Sequence, residues 1–375
     1  MKIAVNTRLL LDNKLEGIGW HTYEILRRMA AAHPEDSFYF LFDRPYHPQF
    51  IFGPNVHPLV LPPPARHPLL FYIWFEWSVY RALRRIKPDV FYSTDGFLSL
   101  RTSIPTLLTV HDLAYHHFPE HLPWVMRTYY QQMMPRFVRR ANHLITVSAF
   151  SKKDLIARFN VLPEKITVAY NGLRPVFHSV DASEKQTIRD EVSAGQPYFL
   201  YVGSMHPRKN IERFLEAFSR FKDQDSQKIH LVLAGRMAWK ASSIKSKLDR
   251  HSYRDYIHLT GMIPDEQMAR LYRGAIALVY PSLFEGFGMP ALEALASHTI
   301  PVLSGTSSLP EVGGEVAIYV DPLQTSSILN GMLQALNHDA HDAGWVKKAD
   351  EQVNKFSWDE SATLIYQELL NLSGR

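Results

Sequence analysis

Two carboxylates, Glu285 and Glu293, bracket a short stretch that holds two glycines and a proline. The apolar run before them, residues 275–280, predicts a buried parallel strand, and Pro290 with the helix formers after it predicts a helix N-terminus. Such a glycine loop offers backbone N–H groups and a positive helix end, which suit a phosphate. Carboxylates repel phosphate, so we expect the glutamates to accept hydrogen bonds from sugar or ribose hydroxyls. The alternative is that Glu285 caps the loop and Glu293 favours the first helical turn.

Adjacent cations, Arg208 and Lys209, stand in a second loop between strand and helix. Residues 198–202 predict the strand, and a helix is expected from about Ile211. Cations at a helix N-terminus oppose the helix dipole unless an anion lies nearby. We therefore predict that these two side chains neutralise a phosphate, with a pair of solvated surface cations as the alternative.

Three further candidates lie in the first half of the chain. Gly17 and Gly19 separate the first predicted strand from a helix expected over about 20–31. Because glycine has no side chain, the pair would let a ligand approach the backbone, and the alternative is a tight turn. His111 follows the predicted strand 106–110, and open α/β sheets bind ligands at that end of their strands. The alternative for His111 is a strand-end histidine held by local hydrogen bonds.

Composition narrows the class of protein. The 375 residues are too many for one core, and 46% hydrophobic with 21% charged residues is typical of a globular protein. The absence of cysteine excludes disulfides and thiolate metal sites, and the histidine-rich loop 115–124 matches no common zinc spacing. Residues 2–6 already predict a strand, so no signal peptide is expected, and no apolar run is long enough to span a membrane.

The charge is unevenly distributed. Residues 1–175 carry 21 basic and 13 acidic residues, whereas residues 176–375 carry 20 and 24. A basic first half predicts an anionic partner, either a phosphorylated acceptor or an acidic membrane surface, and no nucleic-acid motif is present. Within it, residues 70–83 predict a helix that is either buried on both sides or partly exposed and in contact with lipid. Residues 54–68 before it predict a proline-rich loop.

The ordered motifs of the chain resemble the retaining glycosyltransferase family 4, and the resemblance runs from residue 17 to the last helix. It is carried by Val110-His111-Asp112, by Val202-Gly203 with Pro207-Arg208-Lys209-Asn210, by Gly261, and by the glutamate pair. It implies the α/β GT-B fold, with two Rossmann-like domains, an interdomain cleft and a C-terminal helix that crosses back to the first domain. The expected parts are an acceptor-side domain over 1–176, a nucleotide-sugar domain over 177–355 and the returning helix over 356–375.

The resemblance also implies roles for individual residues. The expected catalytic residues are Arg208 and Lys209 on the diphosphate, Glu285 on the transferred sugar, and His111 on the donor sugar from across the cleft. Glu293 would bind the ribose, and Gly17 with Gly19 would cradle phosphate and acceptor. The remaining donor-binding positions are Gly203, the pair Met262 and Ile263, which would flank the base, and the backbone of Gly286, Phe287, Gly288 and Met289. Ser204 stands where many members carry arginine, and Arg208 is expected to supply that charge.

The resulting hypothesis is a retaining, metal-independent hexosyltransferase that uses a nucleoside-diphosphate sugar and no other cofactor. The stretches 207–210 and 235–239 are similar to mannosyltransferase members, which favours GDP-mannose over a UDP-sugar. The acceptor would be a glycan or a lipid-linked glycan, and the protein would be cytoplasmic, with peripheral contact at the inner membrane face. The alternatives are a GT-B nucleotide-sugar epimerase and a non-catalytic sugar-nucleotide-binding subunit.

Overall fold

The computed structural model describes residues 1–12, 15–180, 182–225, 227–237, 242–340 and 342–374. The chain forms two compact units, one of Met1–Gly172 with Ser357–Arg375 and one of Leu173–Phe356. The first unit thus ends four residues before the predicted boundary at 176, and it includes the C-terminal helix. Each unit has one parallel sheet, as the alternation of apolar strands and helices predicts.

Seven parallel strands of the described residues form the sheet of the first unit, in the order β3-β2-β1-β4-β5-β6-β7. Their bounds are β1 Lys2–Asn6, β2 Ser37–Phe42, β3 Val56–Val60, β4 Val90–Ser93, β5 Thr106–Thr109, β6 His143–Thr146 and β7 Ile166–Val168. The prediction of a loop over 54–68 was wrong for β3. This strand tolerates Pro58 because it lies at the sheet edge and pairs only with β2.

The helices of the first unit cover both faces of its sheet. They are α1 Gly17–Ala32, α2 Pro68–Ile73, α3 Tyr80–Ile86, α4 Ala114–His117, α5 Trp124–Arg140 and α6 Ala149–Phe159, with a π-helical turn, Trp74–Val79, joining α2 to α3. Helix α1 begins three residues earlier than expected, so Gly17 and Gly19 form its first turn and not a loop. Helix α6 is capped by Ser148, whose hydroxyl accepts the N–H of Ser151.

The second unit holds a six-stranded sheet within the part of the chain that is described, in the order β10-β9-β8-β11-β12-β13. Its strands are β8 Tyr198–Val202, β9 His230–Ala234, β10 Ile257–Gly261, β11 Ala277–Tyr280, β12 Ile300–Ser304 and β13 Ile318–Val320. Its helices are α7 Ala182–Ser193, α8 Ile211–Lys222, α9 Ser242–Asp249, α10 Asp265–Gly274, α11 Met289–Ala296, α12 Leu309–Gly313, α13 Thr325–Leu336 and α14 Ala343–Val353. Short 3₁₀ turns cover Pro48–Phe50, Pro119–His121, Pro163–Lys165, Pro207–Lys209 and Arg254–Tyr256.

The last helix, α15 Trp358–Ser373, packs on α1. Ser357 is its N-cap, and its hydroxyl accepts the N–H of Glu360. Tyr366 stacks on His33 with 3.4 Å between ring centroids, and its hydroxyl donates to Asp36 at 2.7 Å. The glycine of the Asn171-Gly172 turn makes room for this helix, since a Cβ on Gly172 would lie 2.3 Å from the backbone nitrogen of Trp358. Helix α15 is therefore an integral part of the first unit.

Candidate active site

The order of strands in the second sheet explains why its two predicted loops meet. The sequence order reverses between β8 and β11, which are neighbours. Parallel sheets bind ligands outside the carboxyl ends of their strands at such a switch point. The Arg208–Lys209 loop follows β8 and the Glu285 loop follows β11, so residues about 76 positions apart in sequence reach the same edge.

Glu285 is buried between the two cations. Its Oε1 lies 2.6 Å from Lys209 Nζ and its Oε2 lies 3.5 Å from Arg208 Nη1, while the Ser282 hydroxyl donates to Oε1. Burial alone would raise the pKa of Glu285, but the positive charges of Lys209 and Arg208 outweigh it and lower that pKa to about 2. The carboxylate is therefore ionised at neutral pH. The structure thus brings together three of the four predicted catalytic residues.

Two serines that the sequence did not single out hold the Glu285 loop. The Ser307 hydroxyl accepts the N–H of Glu285 at 3.0 Å. The Ser308 hydroxyl lies 2.9 Å from the Glu285 carbonyl and 2.8 Å from the Phe287 carbonyl. Gly288, at φ 108°, turns the chain into α11, where a side chain would strike Leu309. The predicted stretch Gly286 to Met289 is thus a braced turn that ends at a helix start.

Glu293 lies one turn into α11 and has different partners. Arg174 Nη2 donates to its Oε1 at 2.8 Å, and the Tyr272 hydroxyl donates to its Oε2 at 2.8 Å. Arg174 also forms an ion pair with Asp265, which is the first residue of α10. A carboxylate has about four lone-pair positions, so two contacts leave room for the hydroxyls of a ribose. Neither Arg174 nor Tyr272 was predicted as a site residue.

The remaining predicted positions of the second unit lie at the same strand ends. Gly203, at φ 138°, follows β8, and its carbonyl oxygen would lie 2.1 Å from a Cβ on Gly235, so the ends of β8 and β9 approach closely. Met262 and Ile263 follow β10, and the Met262 side chain is exposed. Of the predicted donor-specificity loop 235–239, Trp239 lies outside the described residues.

The first unit carries the fourth catalytic candidate, His111, directly after β5. Its Nε2 lies 2.8 Å from the Thr94 carbonyl and must donate, because a carbonyl only accepts. Burial lowers the pKa of His111, so the ring is neutral and its Nδ1 is an acceptor. A neutral acceptor at a strand end can receive a hydrogen bond from a sugar hydroxyl.

A second imidazole, His21, supports His111 and was missed in the sequence. The two rings meet edge to face with 4.8 Å between centroids, and His21 Nδ1 bonds the Asn171 side chain at 2.9 Å. Complete burial, together with the His111 ring, lowers the pKa of His21 to about 3, so it also stays neutral. His21 lies just after Gly17 and Gly19. Gly17 is open to solvent, whereas a Cβ on Gly19 would lie 2.9 Å from the Leu9 carbonyl oxygen.

Within the described residues, no group of three or more His, Asp or Glu side chains is arranged to hold a metal ion. In the loop considered for zinc, His117 instead bonds the Asp154 carboxylate at 2.7 Å. Among the helices that the structure describes, none has the length and apolarity needed to cross a bilayer.

Comparison with known proteins identifies the family. The model described as Glycosyltransferase Family 4 matches residues 15–176, and the model described as Glycosyl transferases group 1 matches residues 183–352. The O-antigen chain mannosyltransferase B of Escherichia coli is 28% identical over 93% of this chain and 94% of its own length. The O-antigen chain mannosyltransferase RfbU of Salmonella typhimurium is 30% identical over 68% of this chain and 67% of its own.

A solved structure shows the same fold. Sucrose-phosphate synthase from Thermosynechococcus elongatus superposes with a TM-score of 0.79 at 19% identity, over 99% of this chain and 98% of that one. Both the predicted family and the predicted two-domain fold are confirmed. The chain belongs to the group 1 and family 4 glycosyltransferases and has their GT-B fold.

Proposed function

We propose that the protein transfers mannose from GDP-mannose to a growing glycan, with retention of anomeric configuration and without a catalytic metal. Support for mannose comes from the two relatives named above, both of which are O-antigen chain mannosyltransferases. The protein would act in the cytoplasm, with peripheral contact at the inner membrane face. The glycan acceptor would be polymeric or lipid-linked, as the basic first half favours.

The cluster of Lys209, Arg208 and Glu285 supports the chemistry. Departure of a nucleoside diphosphate from the anomeric carbon leaves positive charge on the sugar and negative charge on the phosphate. The two cations would stabilise the phosphate, and the ionised carboxylate, 2.6 Å from Lys209, would accept hydrogen bonds from the sugar. Because two protein cations supply the compensating charge, the reaction does not depend on a divalent ion. For retention, the leaving phosphate would take the acceptor proton on the same face of the sugar.

A panel of nucleotide sugars tests the donor. Binding to the folded state raises the melting temperature by mass action, so GDP-mannose should give the largest shift among GDP-mannose, GDP, UDP-glucose and UDP. A larger shift with UDP-glucose would reject the GDP assignment.

Two further tests concern the metal and the stereochemistry. Transfer should persist in EDTA, and NMR of the product should show that the transferred sugar keeps the anomeric configuration that it had in the donor.

An assay with donor alone separates the alternatives. A transferase without acceptor should return only slow hydrolysis. Appearance of an epimerised nucleotide sugar would identify an epimerase, and binding without transfer to any glycan acceptor would identify a non-catalytic subunit.

A further inference from the structure

A cluster of four arginines lies on the first unit, and none of them is among the residues assigned to the donor. Arg81, Arg84 and Arg85 lie on α3, and Arg101 follows β4 in a loop. With Trp77 and Tyr80 they line an open cavity of about 480 Å³. None of the four forms an ion pair with a carboxylate among the described residues. Gathered like charges repel one another, so this arrangement indicates an anionic partner.

The aromatic rings hold the guanidinium groups in place. The Arg101 guanidinium lies 4.6 Å from the Tyr80 ring centroid and 5.0 Å from that of Trp77, and Arg81 lies 5.6 Å from Trp77. Stacking on a ring leaves the N–H groups at the edge of a guanidinium available to an anion. In Arg101, Nη1 donates to the Glu76 carbonyl at 3.2 Å, and the other N–H groups are the ones that could meet the anion. The single acidic residue of segment 66–88, Glu76, is buried, and its carboxylate accepts the N–H of Leu100, so it is not a surface counter-charge.

The π-helical turn places exposed apolar side chains on the same stripe as the arginines. Residues five apart in an α-helix point about 140° away from each other, whereas an intervening π turn reduces that angle and brings them closer to one face. Tyr72 and Trp77 are five apart across this turn and are 46% and 47% exposed, while Trp74, Phe75 and Val79 are buried. Arg81 and Arg84 continue the stripe at helical spacing, and Leu69 begins it with 62% exposure.

We infer that this arginine–aromatic face, formed by Tyr72, Trp77, Arg81, Arg84, Arg85 and Arg101, docks the protein on an anionic lipid surface. The combination of groups favours a bilayer over a soluble phosphate compound. Arginines alone would serve a soluble phosphate, but an exposed Trp and Tyr beside them match the headgroup layer, where aromatic side chains gain contact and arginines meet lipid phosphates. The inference specifies the membrane contact of the proposed function and does not depend on donor chemistry.

Vesicle co-sedimentation of the full chain tests the docking face. The protein should bind vesicles of phosphatidylcholine with about 30% phosphatidylglycerol, release at high salt, and bind pure phosphatidylcholine weakly. Because each surface arginine contributes about a factor of five, the triple variant Arg81→Glu, Arg84→Glu, Arg85→Glu should bind at least about 100-fold more weakly. Trp77→Ser should weaken vesicle binding less than the triple arginine variant does. Brominated lipid should quench the tryptophan fluorescence of the wild type more than that of Trp77→Phe.

The matched control is Lys245→Glu, Lys347→Glu, Lys348→Glu, which changes the net charge equally on exposed lysines of the second unit. It should bind the anionic vesicles to within about threefold of the wild type. Equal losses in the two triple variants, or wild-type binding by the arginine variant, would overturn the inference. Binding of the wild type to a soluble phosphorylated glycan but not to vesicles would also overturn it. The donor-induced melting shift should be unchanged in the arginine variant, so failure here is distinguishable from failure of the proposed function.

Discussion

Glu285 and Glu293 are eight residues apart on one loop and helix, yet they are held in different ways. Glu285 is paired with Lys209 and Arg208, two cations of the loop after the neighbouring strand. Glu293 is paired with Arg174, which lies two residues beyond the end of the first unit, and with the Tyr272 hydroxyl. The group around Glu285 contains two cations for one carboxylate, so it carries a net positive charge that can stabilise a phosphate. In the group around Glu293, Arg174 bridges two carboxylates, Glu293 and Asp265, and this arrangement suits a neutral ligand such as ribose.

The comparison predicts the largest effect at Lys209. Lys209→Met should lower transfer by about 10- to 150-fold, because a charge-assisted contact to the leaving phosphate contributes roughly 1.5–3 kcal/mol. It should also lower the free energy of unfolding by about 3–5 kcal/mol, since Glu285 loses its closest partner. Kinetics and denaturant unfolding measure the two effects.

Two further variants separate catalysis from folding. Lys209→Met with Glu285→Gln should recover most of the lost stability but no transfer. Lys222→Met is the matched control, because Lys222 is equally buried and paired with Asp225 in the same unit. It should lose stability and keep its turnover per folded molecule. Recovery of transfer in the double variant would contradict the role of Lys209.

The second prediction concerns Arg174. Arg174→Met should weaken donor binding by about tenfold and reduce discrimination between ribose and 2′-deoxyribose nucleoside diphosphates, because Glu293 would lose its orientation. Calorimetry with both nucleotides measures this. Arg174→Lys should restore the charge but only part of the discrimination, since lysine lacks the planar fork. A variant that is less stable but discriminates normally would show that Arg174 is only structural.

The third prediction is a pH dependence of stability. Glu285 has a folded-state pKa of about 2 against an ordinary value of 4.5, so its ionised form stabilises the fold above about pH 4.5. That contribution, about 3 kcal/mol, should be lost as the pH falls from 4.5 towards 2. Glu285→Gln should therefore show a shallower loss of unfolding free energy over that window. An unchanged slope would mean that Glu285 is not the titrating group.

The smallest effect is expected at Tyr272. Tyr272→Phe removes one hydrogen bond to Glu293 and should cost about 1 kcal/mol of stability, with a change of less than about fivefold in the KM for the donor. Tyr198→Phe is a matched control, because the Tyr198 hydroxyl is also buried and donates to the Leu271 carbonyl at 2.7 Å. Only Tyr272→Phe should alter the KM. An equal effect in both variants would remove Tyr272 from the donor site.

Much of the fold was predictable because its signals are local. Apolar runs predicted strands β1, β5, β8 and β11 within two residues, and turn glycines and Pro290 predicted the start of α11. Two elements were predicted wrongly, and each error has a local cause. Strand β3 was hidden by Pro58, which an edge position accommodates, and the early start of α1 was hidden by Gly17 and Gly19, which read as a loop.

The family, the two α/β units and the motif residues Arg208, Lys209, Glu285 and Glu293 could be predicted without coordinates, because each motif is contiguous and carries its own chemistry. The partners of those residues became visible only in the folded chain. Arg174 and Glu293 are 119 positions apart, and His21 and Asn171 are 150 apart, so no periodicity links them. Sheet topology decided which of the predicted loops lie together. The reversal of strand order at β8 and β11 brings Lys209 to Glu285, and the positive charges of Lys209 and Arg208 then keep the buried Glu285 carboxylate ionised.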